Sequence, residues 1–170
     1  MNNLITPKLL TVLTDPNPFL RKVVNDVKDP STPEIRQLIE DMKLTMVEEK
    51  GIGLAAIQVG VDARVIVIET KDGVIAFVNP VIVKRADETE LAEEGCLSVP
   101  GAYAPVRRST SIVVESVDME GNKIIHDAVG LFARVIQHEI DHLNGILFID
   151  KIEEFSSEEI STAQPISKLP

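Results

Sequence analysis

Two stretches of the chain repeat their apolar residues at helical spacing, and between them the pattern shifts to a period of two. In the first, Ile35, Leu38, Ile39, Met42 and Met46 recur every three or four residues and form one stripe of a helix. Thr32 stands at the N-cap, Pro33 occupies the first helical position, and Gly51 ends the run. In the second, Leu131, Phe132, Val135, Ile136, Ile140 and Leu143 go nearly all the way round a helix predicted over 131–144, with Gly145 placed to stop it. Protein must surround such a helix, so its polar residues need a reason to be there.

Between the helices, Arg64 to Glu69 is β-branched and strand-like, Lys71-Asp72-Gly73 is a turn, and Val74 to Val78 is the hairpin partner. Further strands are predicted at Val81 to Arg85, Ser111 to Val117 and Lys123 to Ile125, the last two joined through Met119-Glu120-Gly121-Asn122. Pro16, Pro18, Pro30 and Pro33 break the N-terminal arm into irregular pieces. Strands linked by hairpins and set apart from the helices predict an α+β fold, with antiparallel sheets packed around the buried second helix. A chain of 170 residues has room for one such domain, expected over 1–152. Residues 153–170 are Glu- and Ser-rich at their start and read as an acidic tail or a short helix limited by Pro165.

Composition narrows the classes of function. With aromatics at 4% and no Trp, the core is built from Val, Ile, Leu and Ala, and stacking platforms for single-stranded nucleic acid are not expected. Lys and Arg total 17 against 27 Asp and Glu, a net charge of −10, so phosphate backbones are repelled and direct DNA binding is not expected. Arg107-Arg108 is a tight basic pair, and it reads as a solvated strand end. One cysteine, Cys96, leaves no internal disulfide and suits a reducing compartment. The N-terminal stretch lacks a basic start followed by a long apolar run, and Gly51 to Val61, an uncharged stretch, is too short to cross a bilayer. A cytoplasmic protein without a membrane partner is expected.

The candidate chemistry centres on His138-Glu139-Ile140-Asp141-His142 within the buried helix. Histidines four apart share a face at one-turn spacing, so two imidazoles can grip one cation with Glu139 beside it. Burying two His and a Glu without a compensating cation is costly. The third ligand must come from elsewhere. Asp150, Glu153 and Glu154 qualify by type, whereas Cys96 offers a soft thiolate in Glu94-Gly95-Cys96-Leu97-Ser98, which together with Pro100 reads as a strand bent close to something. In Gly51-Ile52-Gly53-Leu54-Ala55-Ala56-Ile57-Gln58 small residues permit close backbone approach, either to a ligand or to a neighbouring helix. The segment has neither the Lys of a phosphate loop nor the preceding strand of a dinucleotide fingerprint. Gln58 is its polar side chain, either solvent-facing or able to donate to a developing oxyanion.

Taken in order, GIGLAAIQ, EGCLS and QHEIDH resemble the three motifs of the peptide deformylase family, and TDPNPFLRKV and GILFID extend the likeness over roughly residues 5 to 152. The resemblance implies removal of the formyl group from the N-terminal formyl-methionine of nascent proteins, with release of formate. It implies that Cys96, His138 and His142 bind one divalent metal, Fe²⁺ in the cell with Zn²⁺, Ni²⁺ or Co²⁺ able to replace it. Glu139 would move the proton of the attacking water, and Gln58 with the backbone N–H of Leu97 would stabilise the oxyanion. The substrate peptide would pair as an added strand with Ile52, Gly53 and Gly95, and its methionine would enter a pocket formed by Ile52, Leu131 and Val135. One branch of the family has an Arg contacting substrate where this chain has Tyr103, which makes Tyr103 a candidate substrate contact. Partners would be formyl-Met peptides, with at most a transient ribosome contact. Two rivals are a zinc endopeptidase using the same helix and a non-catalytic, metal-stabilised peptide-binding module.

Overall fold

The structure is a computed structural model that describes residues 5–152. Helix α1 spans Pro33–Glu48, with Ile35 N–H donating to Thr32 Oγ1 at 3.4 Å and Pro33 in the first turn. Helix α2 spans Gly130–Leu143. Gly145 follows it at φ +73°, where a Cβ would lie 2.5 Å from the Arg21 carbonyl oxygen, so glycine is required on both counts.

Among the described residues, seven strands form two antiparallel sheets. The larger has the order β1 (Gly53–Ala55), β2 (Val65–Thr70), β3 (Gly73–Arg85), β6 (Ser111–Val117), β7 (Lys123–Val129), and β4 (Thr89–Cys96) pairs with β5 (Val99–Ser109) as a separate ribbon. The larger sheet divides the core in two. On one face Ile66, Ile68, Phe77, Ile112 and Val114 pack with Ile136, Ile140 and Leu143 of α2. On the other, Val65, Val67, Leu54 and Val78 pack with Leu38, Ile39, Met42 and Met46 of α1. Successive residues of β2 therefore serve opposite cores, which is why Val65 to Ile68 is an unbroken apolar run. This is the expected α+β arrangement, with α2 buried against the sheet and the β4–β5 ribbon on its far side.

Some expectations are corrected. The strands predicted at 74–78 and 81–85 are one strand, β3, which carries Pro80 through a register shift. Asn79 makes this possible by taking φ +51° while its side chain accepts from Val27 N–H at 2.8 Å and donates to Val27 O at 2.9 Å. Strand β7 runs four residues past Ile125, and β1, β4 and β5 lie where no regular strand was predicted, apart from the bend at Cys96. Among the described residues, no helix is long and apolar enough to cross a membrane. The tail beyond Ile152 lies outside the described residues.

Candidate active site

One end of β4 and the buried face of α2 bring Cys96, His138 and His142 together, with all three ligand atoms within 4.8 Å of one another. Cys96 Sγ lies 3.2 Å from His142 Nε2, and the two Nε2 atoms lie 3.2 Å apart. A tetrahedral cation bound to two imidazoles and a thiolate sets its ligand atoms about 3.3 to 3.6 Å apart, so these two spacings fit one ion within a few tenths of an ångström. His138 Nδ1 bonds Glu94 Oε2 at 2.9 Å, which turns Nε2 into the cluster. Burial works against the charged His138 ring, but its bonds to Cys96 and Glu94 and the nearby Glu139 charge push it up to about 10. The same sulfur and carboxylates favour a cation here. Burial, reinforced by the His138 charge, holds His142 well below its usual range, so it offers a neutral nitrogen.

Glu139 stands beside the cluster, 4% exposed, with Oε2 buried and without a hydrogen-bond partner among the described residues. An orphaned carboxylate oxygen is costly in a finished core, and here it belongs to the lining of a cavity of about 470 Å³. Burial pushes its pKa up to about 7, partly offset by His138. Gly53 of β1 lies against it: a Cβ there would overlap Glu139 Oε1 and meet Val135 Cγ1 at 2.8 Å. Gln58 is buried rather than solvent-facing. Ala55 N–H donates to its Oε1 at 2.8 Å, which aims Nε2 at Ser98 Oγ (3.1 Å) and Cys96 Sγ (3.6 Å).

A family profile for polypeptide deformylase matches residues 9–158. The chain belongs to the peptide deformylase family. A peptide deformylase of Rhizobium meliloti is 45% identical over 161 residues, covering 92% of this chain and 91% of the relative. The crystal structure of a Thermotoga maritima peptide deformylase superposes with a TM-score of 0.83 at 39% identity, covering 86% of this chain and 99% of that one. A class I type b peptide deformylase from Acinetobacter baumannii, solved bound to Met-Ala-Ser, gives 0.82 at 33% identity, covering 86% and 100%. The chain is thus a hydrolase of a family that acts on N-formyl peptides.

Within this deformylase framework, Ile52, Gly53, Gln58, Gly95, Cys96, Leu97, Tyr103, Val135, His138 and Glu139 all line the one cavity, and His142 closes its metal corner. Leu131 does not line it. One helical turn before Val135, about 5.4 Å back along α2, it packs against the core with Phe132. Asp150, a candidate ligand by type, is committed elsewhere: it pairs with Arg21 and accepts from Leu147 N–H at 2.8 Å. Glu153 and Glu154 lie outside the described residues.

The largest omission from the sequence reading is a buried ionic network behind the cluster. Arg108, 5% exposed and not a solvated strand end, donates from Nε and Nη2 to the two Glu94 oxygens at 2.9 Å each and from Nη1 to Asp141. Arg134 adds a bond to Glu94 Oε1 at 2.8 Å, and Lys151 Nζ approaches Asp141 Oδ2 at 3.2 Å. Burial would raise the Glu94 pKa, but the hydrogen bonds from His138 and Arg108 hold it far below the carboxylate range. Glu94 and Asp141 sit inside the quoted motifs, and their buried position on the predicted helix and bent strand was the available signal. Arg108 and Arg134 carried none, because their partners are distant in sequence.

Proposed function

We propose that this chain deformylates the N-terminal formyl-methionine of nascent proteins with Cys96, His138 and His142 holding one divalent cation, Glu139 moving protons, and Gln58 with Leu97 N–H stabilising the oxyanion. The observation that carries this is Glu139 Oε2, without a partner among the described residues, in the cavity lined by Cys96 and His138, whose ligand atoms lie with that of His142 within 4.8 Å of one another. When bound, the cation supplies Lewis acidity and makes water nucleophilic near neutral pH. Fe²⁺ is the proposed cellular ion; the soft thiolate and imidazole set also accepts Zn²⁺, Ni²⁺ or Co²⁺.

Water adds to the formyl carbon while Glu139 takes its proton, and Gln58 Nε2 and the Leu97 amide donate to the carbonyl oxygen as it gains charge. Glu139 then delivers the proton to the methionine nitrogen, the C–N bond breaks, and formate leaves with a free amine behind. Strand β1 lies at the edge of the larger sheet with Gly53 on the cavity, so a substrate backbone adds beside Ile52 and Gly53 on one wall and Gly95 on the other. Ile52 and Val135 receive the methionine side chain, and Tyr103, 67% exposed at the mouth, meets residues beyond it.

The single cysteine suits a cytoplasmic, reducing setting. Residues 153 to 159, with four Glu and no Lys or Arg, disfavour docking on ribosomal RNA. Deleting residues 156–170 therefore leaves turnover and ribosome co-sedimentation unchanged; a salt-dependent loss of sedimentation would show that the tail docks. The test of the reaction itself is to incubate the Ni²⁺-loaded protein with formyl-Met-Ala-Ser and with an unformylated, internally cleavable peptide. Formate release from the first alone is expected, and cleavage of the second would establish the endopeptidase reading instead.

A further inference from the structure

The metal ligands sit on two bodies that no backbone ladder joins. Cys96 ends β4, whose strand partner is β5, while His138 and His142 lie on α2. A two-stranded ribbon is marginal by itself, so side chains must fasten it to the helix at the separation the three ligands need.

Arg134 reaches from α2, one turn before His138, to three points on that ribbon. Its Nη1 donates to Glu94 Oε1 and to Val106 O, both at 2.8 Å, and its Nη2 donates to Glu90 O at 2.7 Å. Glu90 lies near the start of β4, Glu94 two residues before Cys96, and Val106 in the second half of β5. Gln137, the neighbouring tie, bonds β5 alone within the ribbon, donating to Ser109 O at 2.9 Å. Arg134 is also 3% exposed and lines the cavity beside Val135. A guanidinium fork suits this task because its donors are rigidly spaced, whereas an ammonium is a single point.

We propose that Arg134 is a positioning residue for the metal centre: it holds the Cys96 strand against the histidine helix and keeps Glu94 turned to accept from His138 Nδ1. Arg134 touches neither substrate nor reacting atoms in this role. The inference rests on the reading of Cys96, His138 and His142 as metal ligands and, for its kinetic arm, on the deformylase reaction.

The test compares the Co²⁺-loaded parent with Arg134→Met and Arg134→Lys. Met keeps an apolar stem on the cavity wall and removes every donor; Lys keeps one charge toward Glu94. For folded Arg134→Met, the thiolate-to-cobalt absorption is expected to weaken or shift, and the half-life of bound cobalt in chelator to shorten about tenfold or more. Turnover number falls about tenfold while KM stays within about threefold, since the wall is preserved. Arg134→Lys recovers part of each loss. If Arg134→Met shows the parent's spectrum and a cobalt half-life within about twofold, Arg134 merely packs and the proposal is overturned, whatever happens to Tm. Should Arg134→Met not fold, a parental spectrum and half-life in Arg134→Lys overturn it equally, and an altered spectrum supports it. A parent that shows the thiolate band yet releases no formate sinks the deformylase reading and leaves the Arg134 comparison standing; a parent without that band sinks the ligand set.

Discussion

The two helices bury comparable stripes and are held by opposite means. Helix α1 presents Leu38, Ile39, Met42 and Met46 to its core and turns most of its charges outward. Helix α2 is buried from Ala133 to Leu143, and six of those residues, Arg134, Gln137, His138, Glu139, Asp141 and His142, are polar. The first helix is fixed by apolar area, at about 25 cal/mol per Å². The second is fixed by apolar area on its sheet face and by charge pairs on its ribbon face, where an unpaired group costs more than a pair gains. Buried charge is a poor way to stabilise a helix, and its concentration on α2 marks where stability has been exchanged for chemistry.

Glu139→Gln should widen this contrast most. Deformylation falls about a hundred- to ten-thousand-fold because the proposed base is gone, while metal content after dialysis stays at the parental level. Near-parental turnover would return Glu139 to a purely structural part. Gly53→Ala comes next, since its Cβ has no room beside Glu139 and Val135. Displacing the base by even an ångström predicts a loss of about a hundredfold in kcat/KM, read in the same formate assay; parental kinetics would mean the close approach is immaterial.

Helix α1 should answer in stability and not in rate. Met46→Ala removes a fully buried side chain and is expected to cost about 2 to 5 kcal/mol by urea unfolding, with turnover per folded molecule within about twofold. Thr32→Ala removes the cap that receives Ile35 N–H and should cost about 1 kcal/mol, again without kinetic effect. A rate defect in either variant, in protein shown to be folded, would break the separation between the two helices.

The same contrast explains what the sequence made legible. Periodicity and caps mark both helices, because an apolar stripe, Thr32, Pro33 and Gly145 act locally. Histidines four apart on a helix declare their common face, and the bent segment around Cys96 pointed to a ligand. By contrast β4, Thr89–Cys96, contains three Glu and few apolar residues, and β5 contains Pro100, Gly101 and Pro105, so neither reads as a strand. What ties this ribbon into the buried network is Arg108 and Arg134, which reach residues 14 to 44 positions away. The runs 74–78 and 81–85 read as two strands because the Asn79 turn that joins them into β3 is secured by Val27, far back in the arm. Leu131 shares the helix face of Val135, and only the depth of the cavity separates the two.

One end of α2 and Cys96 are proposed to form a single-ion site. X-ray absorption at the metal edge of the Zn²⁺-loaded protein tests it directly. The predicted shell contains one sulfur at about 2.3 Å and two imidazole nitrogens at about 2.0 to 2.1 Å, at one ion per chain, with the sulfur lost in Cys96→Ser. An oxygen-rich shell without sulfur would contradict it.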